Sequence, residues 1–557
     1  MLPIAAPAAP AATPTLDTWH RLGEGVLLSP GARSDAASEV LTEELVQLVA
    51  TLHRELDDER RTLLARREER QARWDAGELP AYLDRGSEAV TGDWAVADVP
   101  ADLQRRRVEI TGPVNDPKMV IKMLSRNDEG HRADTAMLDF EDSMKPAWVN
   151  VIAGVCNVRD AIAGRLTFVK PGRGGAPDKV YALDPADMAK LMVRVRGLHL
   201  EESNLRVDGR PVAGGLFDFV ACMVHAARTQ AERGETPTFY VPKCEHHEEA
   251  AWWNRLFVRC QDALGLECGT LRATFLIETL PAAFQMEEIL FAFREHAAGL
   301  NVGRWDKIFS DIKVLKMHPD RVMADRSSIG LNRPWMREYA MRLIAVCHRR
   351  GAYAIGGMAA FTPGRTPDLR RHQTSKVLED KRLEAEMGHD GCWVSHPYFI
   401  GPALSAFEHD HQLDVQHADR DLTPDLLPRA TSPRTLDGLR TNVRVGIAYL
   451  EGWRRQLGCV AWDDLMEDLA TLEISRAQVW QWLHHGVELD AAGGNGGTGR
   501  GGHLVDEGLV HQVFEEELRR IHAELDEQLD SGVDAVKAAF SGQLGGGGEE
   551  RAELALE

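Results

Sequence analysis

The stretch RATFLIETLPAAFQMEEILFAFREHAAGLNVGRWDKIFS, residues 272–310, decides the fold. RATFLIET (272–279) is apolar, β-rich and closes on an acid. FQMEEILFAFREHA (284–297) has helical spacing, and GLNVGRWD (299–306) is again extended and again ends on an acid. Strand, helix and strand in one short span make a β/α unit. Similar extended segments recur outward from it: VEITGPV (108–114), TAMLDFED (135–142), LTFVKP (166–171), MVRVRG (192–197), TFYVPK (238–243), AYAIGGM (352–358) and CWVSHP (392–397). Helical runs such as EEAAWWNRLFVRCQDAL (248–264) follow most of them. About eight such units predict a (β/α)8 barrel. A doubly wound open sheet is the rival. The barrel is favoured because polar residues punctuate many different strand ends, where barrel chemistry sits.

The flanks read differently. From about Ser38 to Asp75, Leu41, Leu45, Leu48, Val49, Leu52 and Leu56 recur every three or four positions, which predicts a helix. Its run HRELDDERRTLLARREERQARWD mixes both signs and reads as a solvated helix face rather than a nucleic-acid arm. Beyond about residue 405 the β character fades into helical segments (436–457, 463–485, 506–529), a separate all-α unit. AAGGNGGTGRGG (491–502) matches G-x-G-x-x-G, but no strand precedes it, so it reads as a linker.

Composition narrows the function. The chain has 557 residues, enough for two or three units. With 65 Lys+Arg against 86 Asp+Glu the formal charge is −21. That argues against nucleic acid or an anionic membrane as partner. No run is apolar enough to span a bilayer. Eight scattered cysteines without CxxC pairs read as reduced thiols.

Chemistry concentrates at strand ends. Glu141 and Asp142, Arg194 and Arg196, Glu278, and Asp306 all close apolar segments. Buried charge there needs a partner. Glu278 and Asp306 lie about one β/α repeat apart, on neighbouring strands of one rim, and two carboxylates with waters can hold Mg²⁺. The plainer reading is that each caps the following helix. Arg194 and Arg196 alternate on one strand and are expected to face opposite sides, at most one into the barrel and the other into a surface ion pair. An inward arginine supplies a fixed charge for a developing oxyanion. CEHHEE (244–249) reads as a charged helix entry, and EHDHQ (408–412) as a solvated turn.

The segments LDFEDSMKPAW (138–148), RVRGLHL (194–200), GGLFDF (214–219), EAAWW (249–253), LIETLPAAFQMEEIL (276–290), GLNVGRWDKIFS (299–310), AIGGMAAF (354–361), GHDGCWVSHP (388–397) and LMEDLATLEISRAQVWQW (465–482) closely resemble the malate synthase family in its shorter A form. The resemblance implies a TIM barrel with an N-terminal helical clasp and a C-terminal helical plug. The expected boundaries are 1–17 tail, 18–104 clasp, 105–404 barrel, 405–541 plug and 542–557 tail. The implied reaction condenses acetyl-CoA with glyoxylate and hydrolyses the thioester, giving malate and CoA in the glyoxylate cycle. By resemblance Glu278 and Asp306 hold Mg²⁺, and the backbone of Gly303, Arg304, Trp305 and Asp306 holds the glyoxylate carboxylate. Arg194 and Asp468 are the catalytic pair, and Trp393 and Pro397 meet substrate. Glu141 and Asp142 either stand behind the metal ligands or merely cap a helix. Departures from the family pattern are Cys392, Tyr398, CVAW (459–462), the leucine of LEISR and the glycine-rich insert; Cys392 and Tyr398 bear on acyl-CoA affinity. The rivals are a lyase of malyl-CoA-type thioesters on the same barrel and a catalytically degenerate scaffold. The C-terminal Ala-Leu-Glu is unlike an SKL-type tripeptide, so the expected location is cytoplasmic. Oligomeric state is left open.

Overall fold

The computed structural model describes residues 18–172, 177–490 and 502–530. The expected tails at 1–17 and 542–557, and the glycine-rich stretch through residue 501, lie outside the described residues. Eight strands close into a parallel barrel in chain order. They are β1 (Val108–Pro113), β2 (Thr135–Asp139), β3 (Lys190–Arg194), β4 (Thr238–Val241), β5 (Arg272–Ile277), β6 (Ala297–Val302), β7 (Tyr353–Ala359) and β8 (Gly391–Val394). β8 pairs back onto β1, with Trp393 opposite Glu109. Closure leaves no open edge, and the buried strands read as the near-continuous apolar runs that sandwiched parallel strands require. Met137, Met192, Tyr240, Leu276, Ala298, Ile355 and Trp393 fill the lumen, so it is a packed core.

Eight of the nine extended segments are barrel strands. The ninth, LTFVKP, is not. Thr167–Lys170 is largely exposed and pairs antiparallel with Lys179–Ala182 as a surface hairpin. Of its four residues only Phe168 is even half-buried, which suits a surface ribbon, not a strand covered on both faces. The sequence also concealed a four-stranded antiparallel sheet that joins His20–Gly23 and Val26–Leu28 to Glu201–Val207 and Arg210–Ala213.

The clasp helix runs Glu43–Asp75 and starts later than expected, because Thr42 caps it and a separate short helix, Asp35–Val40, precedes it. Leu45, Leu48, Val49, Leu52, Leu56 and Leu63 are buried. Its charged run is not simply solvated. Arg60 is fully buried, donating to Asp57 and to the carbonyl of Leu198. Arg67 grips Glu249, on helix His247–Leu264, through two hydrogen bonds. The mixed charges are therefore fasteners to the barrel.

The C-terminal unit is not all-α. Val460–Trp462 (β9) and Leu465–Glu467 (β10) form a hairpin, turned by Asp463 and Asp464 at φ 44° and 63°. Two successive positive φ values are the signature of a type I′ turn, which Asp tolerates better than most residues. The hairpin hydrogen-bonds to the segment after β7: Met466 N–H to Ala360 O at 2.7 Å, and Thr362 N–H to Asp464 O at 3.0 Å. Helix Leu469–His484 follows, and Trp482 and Gln478 donate to the carbonyls of Met323 and Ala324. Arg326 meets Glu467 in a buried ion pair, one contact at 3.1 Å.

Removing one partner of a buried pair costs about 3–5 kcal/mol. Arg326→Met should therefore speed hydrogen exchange over residues 460–468 while the barrel strands stay protected. Unchanged exchange in the hairpin would show that the pair does not anchor it.

Candidate active site

Arg194, Glu278 and their acidic neighbours meet at the C-terminal rim of the barrel. Arg194 ends β3, opposite Asp139 at the end of β2. Its Nε and Nη2 donate to the two Asp139 oxygens at 2.7 and 2.6 Å. This bidentate pair is the strongest form of side-chain ion pair, and it fixes the guanidinium plane. Nη1 is left facing Glu141 at 3.5 Å. The guanidinium carbon lies 5.7 Å from the Trp393 ring centroid, and the Trp393 indole N–H donates to buried Glu109 at 2.9 Å. Arg196 diverges from Arg194 as expected, but for a different reason. Strict alternation would put both on one face; they part because β3 ends at Arg194. Arg196 makes no surface pair: it is buried, bonded to Asp218 and Glu202.

Glu278 follows β5. One oxygen accepts the backbone N–H of Lys243 at 2.7 Å. The other, Oε2, is buried with no hydrogen-bond partner among the described residues, as is Asp142 Oδ1. Glu278 is not a helix cap, since Thr279 caps the next helix. Gly303 lies against it: a Cβ there would fall 2.5 Å from Glu278 Cβ and 2.7 Å from Oε2. Only glycine lets the chain after β6 come this close. Asp306 stands in the first turn of helix Arg304–Val314, whose leading N–H groups have no intrahelical acceptor. Arg304's side chain binds Asp380 bidentately at 2.7 and 2.8 Å. Trp305 lines the inner cavity.

The capping alternative weighed for Glu278 and Asp306 applies instead to Asp468. It ends the hairpin and caps helix Leu469–His484, accepting the Thr471 N–H at 3.2 Å. Asp468 enters the cavity that Arg194, Asp142, Glu278, Gly303 and Asp306 line. An outer cavity of about 480 Å³ adjoins it, lined by Lys122, Arg126, Arg370, Pro397, Tyr398 and Cys459 among others. Pro397 is therefore in this outer space rather than beside the carboxylates, while Trp393 lies beneath Arg194. Thr111, Met119, Ser395, Cys459 and Met466 line both cavities. Cys392 is buried, and its charged neighbours are Lys381, Glu384 and Asp380, on helix Pro367–Met387 outside the barrel, and Glu109 on β1. Tyr398 does reach the outer cavity, beside Arg370. In CEHHEE, His246 caps helix His247–Leu264, as a helix entry should.

Two functional neighbours escaped sequence reading. Asp139 orients Arg194, and Lys243 reaches Glu141 at 2.9 Å, Asp142 at 2.6 Å and Asp306 at 3.1 Å. Lys243 ends the extended segment TFYVPK, so the rule that flagged the other rim residues also applies to it, whereas Asp139 lies inside TAMLDFED, three residues before its end.

The rim holds more acid than base. Burial, then the charges of Asp142 and Asp306, push Asp468 up to about 8. Burial and Asp142 push Glu141 up to about 8, and burial and Asp306 take Glu278 well above the usual carboxylate range. Arg194 and Ser143 hold Asp139 low against the effect of burial. Orphaned carboxylate oxygens in a pocket of surplus negative charge fit a divalent cation. Among the described residues no three His, Cys, Asp or Glu side chains form a ready metal cluster.

Fold and site together define a (β/α)8-barrel enzyme whose cation-seeking, acid-lined pocket is roofed by a carboxylate from a separate C-terminal unit. Family models match three consecutive regions: "Malate synthase, N-terminal domain" over 30–85, "Malate synthase, TIM barrel domain" over 190–426 and "Malate synthase, C-terminal" over 433–543. The chain is 46% identical to a malate synthase of Myxococcus xanthus, covering 84% of this chain and 85% of that one. It is 42% identical to malate synthase A of Escherichia coli, covering 88% and 89%, and 41% identical to the glyoxysomal malate synthase of Ricinus communis, covering 88% and 85%. A solved citrate lyase beta subunit from M. tuberculosis overlaps at 18% identity and TM-score 0.35, over 55% of this chain and all of that one, too distant to bear on function. The chain belongs to the malate synthase family, A-type.

Unfolded, Asp468 and Glu141 lose their protons near pH 4; folded and cation-free, near pH 8. Between these values the folded state binds more protons, so its stability falls as pH rises. Melting temperatures in chelator should decline from pH 5 to pH 8, and saturating Mg²⁺ should flatten the decline. A flat or rising profile in chelator would contradict this charge balance.

Proposed function

We propose that this enzyme condenses acetyl-CoA with glyoxylate and hydrolyses the resulting thioester to malate and CoA, as part of the glyoxylate cycle. One observation carries the reading: the C-terminal hairpin delivers Asp468 into the cavity where Arg194, Glu278 and Asp306 already meet. A divalent ion is implied by the family, and we assign it as Mg²⁺, held by Glu278 and Asp306, where it would polarise the glyoxylate carbonyl. Glu141 and Asp142 stand behind these two and add negative field.

Asp468 acts as the base. An acetyl methyl group is a very weak acid, so the carboxylate must be dry and close, and Asp468 is 9% exposed and fixed by its cap. Arg194 stabilises the enolate oxygen. Two of its nitrogens are committed to Asp139, which fixes the guanidinium and leaves Nη1, 3.5 Å from Glu141, for the enolate. The free N–H groups that open helix Arg304–Val314 suit the glyoxylate carboxylate. The enolate carbon then adds to the aldehyde carbon, and water cleaves the thioester. Lys122, Arg126, Arg370 and Pro397 make the outer cavity a berth for the anionic CoA arm. A cytoplasmic setting suits eight cysteines without disulfides.

Release of free CoA thiol from acetyl-CoA plus glyoxylate tests the reaction itself; an intact thioester would favour the lyase. Asp468→Asn should keep glyoxylate and Mg²⁺ binding while losing roughly 10²–10⁴ in kcat. Near-normal turnover would overturn its assignment as base. Glu278→Gln should raise the Mg²⁺ concentration for half activity, and an unmoved midpoint would reject it as a ligand.

A further inference from the structure

Lys243 has no task in the reaction above, yet the fold holds it at some expense. It follows β4 with φ 54°, a left-handed conformation that side-chain-bearing residues adopt only when their surroundings impose it. Both of its peptide groups are tied. Its N–H donates to Glu278 Oε1 at 2.7 Å, and its carbonyl accepts from Arg67 of the clasp helix at 2.9 Å. So constrained, its ammonium lies 2.6 Å from Asp142, 2.9 Å from Glu141 and 3.1 Å from Asp306. The other cation here, Arg194, is bound bidentately to Asp139. One ammonium thus serves several buried carboxylates at once, in the way a bound metal ion would.

We propose that Lys243 is a positioning residue that acts as the resident counter-ion of the empty metal pocket, keeping its carboxylates together until a divalent ion enters and weakening that ion's binding by its own charge. The proposal rests on Glu278 and Asp306 holding the metal. It fixes two signs. Without the ammonium, the empty pocket is left with unscreened like charges and loses stability. The same loss removes a repulsion of the incoming ion, so binding tightens. A lysine serving only as scaffold would, when removed, loosen both fold and metal site.

The experiment compares wild type, Lys243→Met, Lys243→Gln and Lys243→Arg as full-length proteins. Each is stripped with chelator, melted, and titrated with MgCl₂ by calorimetry. The two neutral variants should melt several degrees below wild type when stripped and recover most of that loss in saturating Mg²⁺. Their Mg²⁺ dissociation constants should fall by about tenfold or more, the scale set by a partly screened charge a few ångströms away. Lys243→Arg should stay close to wild type in both. Unchanged or weaker Mg²⁺ binding by the neutral variants, or stripped melting points equal to wild type, overturns the proposal. Wild type that binds no Mg²⁺ overturns the metal reading itself, a separate result.

Discussion

Like charge, forced together out of water, is the constraint on which this molecule turns. Asp139, Glu141, Asp142, Glu278, Asp306 and Asp468 converge on one end of the barrel, all buried, with Arg194 and Lys243 to oppose them. Desolvated like charges move apart or hold on to protons. The closed ring of strands prevents the first, because each strand end is set by the register of both neighbours, and the second shows in the raised Glu141, Glu278 and Asp468. Asp139 and Arg194 are paired in register across β2 and β3 before their side chains touch.

The flanking units complete that restraint. The clasp helix is far from the reacting groups in sequence, but Arg67 fastens both Glu249 and the carbonyl of Lys243. The C-terminal unit holds Asp468 by a backbone ladder to residues 360–362 and by Arg326 against Glu467. The barrel alone would thus present an incomplete pocket. Each appendage contributes an anchor that the rim cannot supply.

Much of this was legible because strand ends announce themselves. FLIET and GLNVGRWD stop an apolar run with an acid, and the repeat between them places both acids on one rim. Legibility failed where meaning depended on distant partners. A surface ion pair was expected for one of Arg194 and Arg196, and none forms because the buried partners of Arg196, Asp218 and Glu202, lie in other elements that local sequence does not reveal. LTFVKP matched a strand pattern but not the two-sided burial of a barrel strand. The charged face of the clasp helix looked solvated because local sequence cannot show which arginines meet an acid on another helix. The β9–β10 hairpin was hidden by its brevity, although the paired aspartates at its turn were a readable sign.

The same short ribbon has two duties. Leu457, Cys459, Val460, Ala461 and Met466 wall the outer cavity, and a few residues later the chain presents Asp468. The wall of the outer cavity and the Asp468 carboxylate thus hang on one hairpin, so any change in how that hairpin sits on the barrel displaces both together.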